Sequence, residues 1–110
     1  FPLITTAAGL TFDTAWQGCS LLTNIPALDL SSATDLTDVW NNSFAIASID
    51  ATGMAVDLDI QNLALPGPAL DILYNNLATV AGQTITVTGN PGSGADTPAI
   101  ATGKGWTHVP

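Results

Sequence analysis

An internal repeat of 24 residues at the start of the chain constrains its fold more than any other feature. Residues 1–24 and 25–48 align without a gap, so that Trp16 matches Trp40 and apolar positions match apolar positions. A fixed period of this size is typical of stacked repeat proteins, because one unit is too small to bury its own apolar face. The repeat therefore predicts an α/β solenoid in which short strands alternate with short helices.

Each regular unit is predicted to contain a strand followed by a helix. In the second unit, residues 27–31 alternate apolar and polar side chains, which is the period of a half-buried strand. Leu36 and Trp40 follow at a spacing of four residues, which places them on one helical face. The first unit repeats the pattern. The predicted core of the repeats consists of large side chains: Phe12, Trp16, Leu36, Trp40 and Trp106.

The remainder of the chain departs from the regular repeat. Residues 49–80 are predicted as an irregular repeat and residues 81–110 as a C-terminal repeat and cap, so that 1–110 is a single domain. Alternation, proline positions and apolar spacing predict five further elements: strands over 56–60, 84–88 and 106–109, and helices over 66–80 and 98–103.

The composition limits the kinds of partner that this chain can bind. All nine acidic residues are Asp, Lys104 is the only basic residue, and the formal net charge is −8. Such a chain lacks the cations that bind nucleic-acid phosphates or an anionic membrane, so neither partner is predicted. Low charge with many Thr, Ser, Asn and Gly is common in extracellular and virion-surface proteins rich in β-structure, which favours one of these locations.

The N-terminal end of the predicted solenoid lacks a cover. The first unit carries the repeat pattern from its first residue, and that residue is Phe1 rather than Met. A solenoid needs both ends closed, because an open end exposes an apolar face and a strand edge. We therefore expect the chain to be a fragment of a longer protein, with upstream repeats or another chain covering this end.

Few residues suggest chemistry, and each has a structural alternative. Cys19 is the only cysteine and Ser43 takes its place one unit later, which favours a packing role over a nucleophile. A lone histidine, His108, is more typical of a half-exposed strand residue than of a metal ligand. Trp16 and Trp40 are expected to stack in the core, the alternative being a sugar-binding ladder on the surface. No catalytic, cofactor-binding or metal-binding residue is predicted.

Aspartates and threonines in the second half of the chain are the candidates for surface binding. Asp57 and Asp59 lie on one side of a predicted strand, where Asp50 can approach them to complete a calcium site. A solvated polar face is the favoured interpretation, since no calcium-loop motif is present. A carboxylate pair for glycoside hydrolysis is the weakest alternative, because the chain contains no Glu. The possible surface-binding residues are therefore Asp57, Asp59, Thr84, Thr86 and Thr88.

Two stretches of the chain carry a resemblance to a known family. The run IPALDLSSATDLTDVWNNS and the tail TITVTGNPGSGADTPAIATGKGW resemble degenerate leucine-rich-repeat-like proteins of bacteriophage tail fibres and other virion surfaces, and related bacterial surface proteins. The resemblance implies a right-handed, leucine-rich-repeat-like solenoid with an irregular C-terminal cap, and it brings no catalytic residues. The usual long series of regular units is reduced to two in this chain.

The same resemblance implies a non-enzymatic structural domain of a phage virion, in a fibre, a decoration protein or the capsid surface. Its partners would be other virion proteins or host-surface glycans, and no cofactor is predicted. Virion proteins are usually arranged on symmetry axes, which favours a homo-oligomer and a trimer in particular. A bacterial cell-surface adhesin is the first alternative and a glycan-active enzyme the second, because fold alone does not decide among these functions.

Overall fold

The computed structural model describes residues 10–11, 21–36, 39–40 and 43–110. These residues form seven short strands and two helices. In chain order the elements are β1 (Leu10–Thr11), β2 (Asn24–Ile25), β3 (Ala33–Asp35), β4 (Ser48–Ile49), β5 (Leu58–Asp59), α1 (Gly67–Asn76), β6 (Thr84–Thr86), α2 (Ala99–Thr102) and β7 (Thr107–Val109). Strands this short make few ladder hydrogen bonds, so side-chain packing must help to fix their positions.

The described strands pair only in parallel, and they divide among three small sheets. β1 pairs with β3, β2 pairs with β4, and β6 lies between β5 and β7. The β2–β4 register joins Asn24 to Ser48 and Ile25 to Ile49, which is the 24-residue offset of the sequence repeat. Both isoleucines are buried, so this pair of strands contributes directly to the core.

The predicted leucine-rich-repeat-like α/β solenoid is wrong. A solenoid carries one strand per unit in a continuous sheet, whereas the described strands form separate sheets of two or three strands. The Cα radius of gyration is 12.6 Å, close to the roughly 13 Å expected for a globular domain of this length. The two regular units already depart from a solenoid, because β2 and β4 pair at the repeat offset but lie in a different sheet from β1 and β3. The later strands pair at other offsets: Leu58 with Ile85, and Ile85 with His108.

The strand and the helix predicted for the second unit are also wrong at the described positions. Within residues 27–31 only Asp29 pairs, in an isolated parallel bridge. Leu36, predicted on a helical face, forms a bridge to β5, and Trp40 lies in a turn. β3 immediately precedes Leu36, so the backbone there is extended where a helix would have to start.

The elements of the C-terminal half match their predictions more closely. The helix predicted from residue 66 is confirmed as α1, although it ends at Asn76 rather than near residue 80. Pro68 lies in its first turn, where main-chain N–H groups have no intrahelical acceptor. The missing N–H of proline therefore costs no hydrogen bond of the helix. β6, α2 and β7 lie within three of the predicted ranges. Among the described residues, neither helix has the length and apolarity needed to cross a membrane.

The core contains a buried amide that joins three parts of this half. Asn90 is 5% exposed, and its Oδ1 accepts a hydrogen bond from the Leu65 N–H at 3.2 Å. Its Nδ2 donates to the carbonyl oxygens of Ile60 at 2.7 Å and Val87 at 3.0 Å. Because these bonds are buried, Asn90 fixes the loop after β6 against the segments that precede α1.

Candidate functional site

Four of the five predicted surface-binding residues meet at an open depression beside β5 and β6. It has a volume of about 190 Å³ and is lined by Asp57, Leu58, Asp59, Thr84 and Thr86. The register places Asp59 opposite Thr86 and Leu58 opposite Ile85. Leu58 and Ile85 are buried, and side-chain alternation therefore turns their neighbours to the outer face of the sheet. We call this surface the β5–β6 depression.

Hydrogen bonds hold both aspartates of the depression in place. Asp57 Oδ1 accepts from the Thr84 N–H at 2.8 Å, which joins the start of β5 to the start of β6. Asp59 Oδ1 accepts from the Gln61 N–H at 3.0 Å, and its Oδ2 accepts from Gln61 Nε2 at 2.9 Å. Because the carboxylates are already oriented, a ligand would not have to order them on binding.

A second open depression adjoins the first and shares Asp57 with it. Its volume is about 320 Å³, and it is lined by Thr34, Asp35, Leu36, Val56, Asp57 and Gln83. The parallel bridge between Leu36 and Leu58 brings the end of β3 beside β5, which makes the two depressions neighbours. Together they present Asp35, Asp57 and Asp59 on one face of the molecule.

The fifth predicted surface residue, Thr88, does not line either of these depressions. It is exposed, and its Oγ1 donates to the main-chain oxygen of Pro110 at 2.7 Å. Thr88 therefore links the end of the described chain to the residues after β6. This position makes it a natural control for the residues of the β5–β6 depression.

The predicted repeat-core residues that the structure describes lie in the core. Leu36 and Trp40 are fully buried, so Trp40 is not available as a surface platform for sugars. Trp106 is 3% exposed, and its Nε1 donates to the Ala78 carbonyl oxygen at 2.8 Å. Three other residues singled out from the sequence lie outside the described part of the chain: Phe12, Trp16 and Cys19.

Sequence reasoning missed a polar cluster formed by Tyr74, Asp96 and His108. The Tyr74 hydroxyl donates to Asp96 Oδ2 and lies 3.0 Å from His108 Nε2. His108 Nε2 in turn lies 3.4 Å from Asp96 Oδ2, and the two side chains are only 8% and 2% exposed. The Tyr74 and His108 rings meet edge to face with centroids 5.6 Å apart. These contacts join α1, the loop before α2 and β7.

Burial and hydrogen bonding set the protonation of this cluster. Burial is the largest influence on Tyr74 and raises the pKa of its hydroxyl far above 10.0, with further increases from Asp96 and Asp71. Burial also acts to raise the pKa of Asp96, but hydrogen bonds from Tyr74 and from main-chain N–H groups, with attraction to His108, hold it below the usual range. A neutral phenol therefore donates to a charged carboxylate across the neutral pH range.

The cluster was missed because its three members carry different local signals. Tyr74 lies on the apolar stripe of α1, and only its hydroxyl indicates that a partner is needed. Asp96 stands where a helix cap is expected, but the cap position of α2 is Pro98, which makes no side-chain hydrogen bond. His108 lies 34 residues from Tyr74, and only the β6–β7 register brings it near.

Neither a metal site nor an unpaired lysine is found in the part of the chain that the structure describes. Among the described residues, no three His, Cys, Asp or Glu side chains converge to hold a metal ion. Asp50, weighed as a calcium ligand with Asp57 and Asp59, is exposed. Lys104, the only basic residue, donates from Nζ to two main-chain carbonyls at the C-terminal end of α1. Its charge is thereby used to satisfy the helix end.

The β5–β6 depression offers carboxylate and hydroxyl oxygens on a sheet surface, which suits a ligand that presents O–H or N–H donors. No protein-family model matches the chain, and neither a curated protein nor a solved structure matches it. A function for the chain is therefore inferred from its own residues.

Proposed function

We propose that this chain is a non-enzymatic surface domain of a bacteriophage virion, placed in a fibre, a decoration protein or the capsid surface. In this proposal it contacts a host-surface glycan or a neighbouring virion protein. The resemblance of residues 25–43 and 84–106 to virion surface proteins suggests the location. The observation that carries the binding role is the β5–β6 depression, where polar residues distant in the sequence meet on one face.

The chemistry of the depression favours neutral or cationic ligands over anionic ones. Thr84 and Thr86 supply hydroxyls that both donate and accept hydrogen bonds, whereas Asp57 and Asp59 accept only. Sugar hydroxyls and the N–H groups of a protein partner are matched to these acceptors. Phosphate-rich or carboxylate-rich glycans are disfavoured, because the formal net charge is −8 and the single lysine is engaged at α1.

Burial of the Tyr74, Asp96 and His108 cluster supports a non-enzymatic role. A general acid or base must come within hydrogen-bond reach of a substrate. The side chains of Asp96 and His108 are almost fully enclosed, and they use their polar atoms on each other and on Tyr74. This arrangement favours a structural task for the cluster, and it leaves the exposed depression as the contact surface.

Imaging of the parent particle by cryo-EM tests the proposal. The expected result is density for this domain on the outside of the virion, with the β5–β6 depression open to solvent or in contact with a neighbouring subunit. Purified particles that lack the domain would contradict the virion location. Density in which the depression is filled by another part of the same chain would contradict the binding role.

A further inference from the structure

The last strand is attached to the molecule in an unusual way, because it buries no apolar side chain. Thr107 is exposed and Val109 is 37% exposed, whereas the His108 side chain between them is only 8% exposed. The residue before the strand, Trp106, is buried and hydrogen-bonded to the Ala78 carbonyl. β7 therefore begins at a firm anchor and then runs along the edge of its sheet with no fully buried apolar side chain of its own.

Main-chain bonds to β6 alone give this strand little stability. The Thr107 N–H donates to the Gln83 carbonyl oxygen at 2.8 Å, and the Val87 N–H donates to the Val109 carbonyl oxygen at 2.9 Å. A hydrogen bond that water can replace contributes little net stability, and a three-residue edge strand has few of them. Segments with few buried apolar contacts are the ones that open locally while the rest of a protein stays folded.

His108 supplies the missing attachment through its side chain. Its Nε2 lies 3.0 Å from the Tyr74 hydroxyl and 3.4 Å from Asp96 Oδ2, where water has little access. Hydrogen bonds that involve a charged partner in a buried place are stronger than exposed neutral ones. The ring also packs edge to face on Tyr74 at an interplanar angle of 88°. His108, the middle residue of β7, therefore attaches the strand to α1 and to the loop before α2 through its side chain.

We propose that β7 is a hinged strap, anchored at Trp106 and latched by insertion of His108 between Tyr74 and Asp96. When the latch is open, the strap leaves and the edge of β6 is uncovered. Opening thereby exposes the main-chain groups of β6 that bond to β7, and the latch sets how often this occurs.

Amide hydrogen exchange followed by NMR on the full chain tests the strap. The amides of Thr107 and Val87 report opening, because their bonds join β7 to β6. The Ala64 N–H, bonded to the Ile46 carbonyl at 2.8 Å, reports on the rest of the molecule. In the wild type, the Thr107 and Val87 amides are expected to be at least about tenfold less protected than the Ala64 amide, because the strap opens without global unfolding. In His108→Ala and in Tyr74→Phe, exchange at Thr107 and Val87 is expected to accelerate by about tenfold or more.

Thr88→Ala is the matched control, because it removes an exposed hydrogen bond to Pro110 in the same segment and leaves the latch intact. Its effect on Thr107 and Val87 is expected to stay below about threefold. Unchanged exchange at Thr107 and Val87 in His108→Ala would overturn the proposal. Equal protection of all three amides in the wild type would overturn it as well, because β7 would then separate only when the whole fold unfolds. Should Tyr74→Phe fail to fold, His108→Ala alone decides.

Discussion

His108 Nε2 lies 3.0 Å from the Tyr74 hydroxyl, although the two residues stand 34 positions apart in the chain. This contact joins the last strand to the longer helix, and Asp96 adds the loop before α2 to the same point. No backbone ladder links β7 to α1, so side chains must hold the two elements together. The stability of the C-terminal half is therefore expected to depend on these three residues.

Removing the Tyr74 hydroxyl should destabilise the protein although the ring remains. Tyr74→Phe leaves Asp96 enclosed with one strong donor fewer, which is expected to lower the free energy of unfolding by about 1–3 kcal/mol. Urea denaturation followed by circular dichroism measures the change. Thr88→Ala, which removes an exposed hydroxyl bond, should stay within about 0.5 kcal/mol of the wild type. Equal stability of Tyr74→Phe and the wild type would show that the cluster contributes nothing.

Stability should fall in acid through Asp96. Its pKa is held below the usual 3.8, so the charged carboxylate stabilises the fold above that pH, and this contribution is lost as the pH falls through the lower folded-state value. Asp96→Asn is expected to be less stable than the wild type at pH 7, with a difference that shrinks between pH 4 and pH 2. Denaturation midpoints across this range measure it.

The exposed Asp57→Asn is the matched control for this pH series, because it removes a carboxylate outside the buried cluster. We expect its stability to follow that of the wild type as the pH is lowered. A difference between Asp96→Asn and the wild type that stays constant from pH 7 to pH 2 would refute the assignment of the acid effect to Asp96.

Replacing Trp40 tests whether the repeated tryptophan belongs to the core. Trp40 is fully buried, so Trp40→Ala is expected to cost about 3–5 kcal/mol of folding stability. Phe44→Ala is the matched control, since Phe44 is a large apolar residue that is 58% exposed, and it should cost less than about 1 kcal/mol. Thermal and urea unfolding of both variants give the comparison. Similar costs for the two would contradict the burial of Trp40.

A close approach of two backbone segments should make Gly92 hard to replace. A Cβ at this position would collide with main-chain atoms of Pro66 and Gly67, where α1 begins. Gly92→Ala is expected to destabilise the protein by about 2 kcal/mol or more, because backbone on both sides must shift. Ser93→Ala, one residue later, should be close to neutral. A wild-type melting temperature for Gly92→Ala would show that the two segments are not in contact.

The sequence predicted elements well where one local signal was enough. The start of α1 was predicted from Pro68, and its buried face from the apolar stripe through Leu70, Leu73 and Tyr74. Both succeeded because the spacing of apolar residues in the sequence reflects the 3.6-residue period of a helix. Alternation over residues 84–88 predicted β6 in the same way. The offset between β2 and β4 equals the 24-residue repeat, although no strand was predicted at either position.

The same repeat misled where the outcome depended on contacts across the chain. Leu36 and Trp40 have helical spacing, yet Leu36 forms a β-bridge to β5. Pairing with a segment distant in the sequence cannot be detected from the local spacing of apolar residues. The β5–β6 depression was predicted only in part, since alternation put Asp57 and Asp59 on one side but could not indicate that β6 lies next to them. The Tyr74, Asp96 and His108 cluster depends on such registers entirely.

Binding through the β5–β6 depression is the central claim, and a paired substitution tests it most directly. Asp57→Asn with Thr86→Val removes a charge and a hydroxyl from the depression, while Thr88→Val removes a hydroxyl outside it. The probes are an array of host-surface glycans and the purified neighbouring virion proteins, with circular dichroism to confirm folding. We predict that the wild type and Thr88→Val bind a common partner with similar affinity, and that the paired variant binds it at least about tenfold more weakly. Undiminished binding by the paired variant would contradict the claim, as would a wild type that binds neither probe.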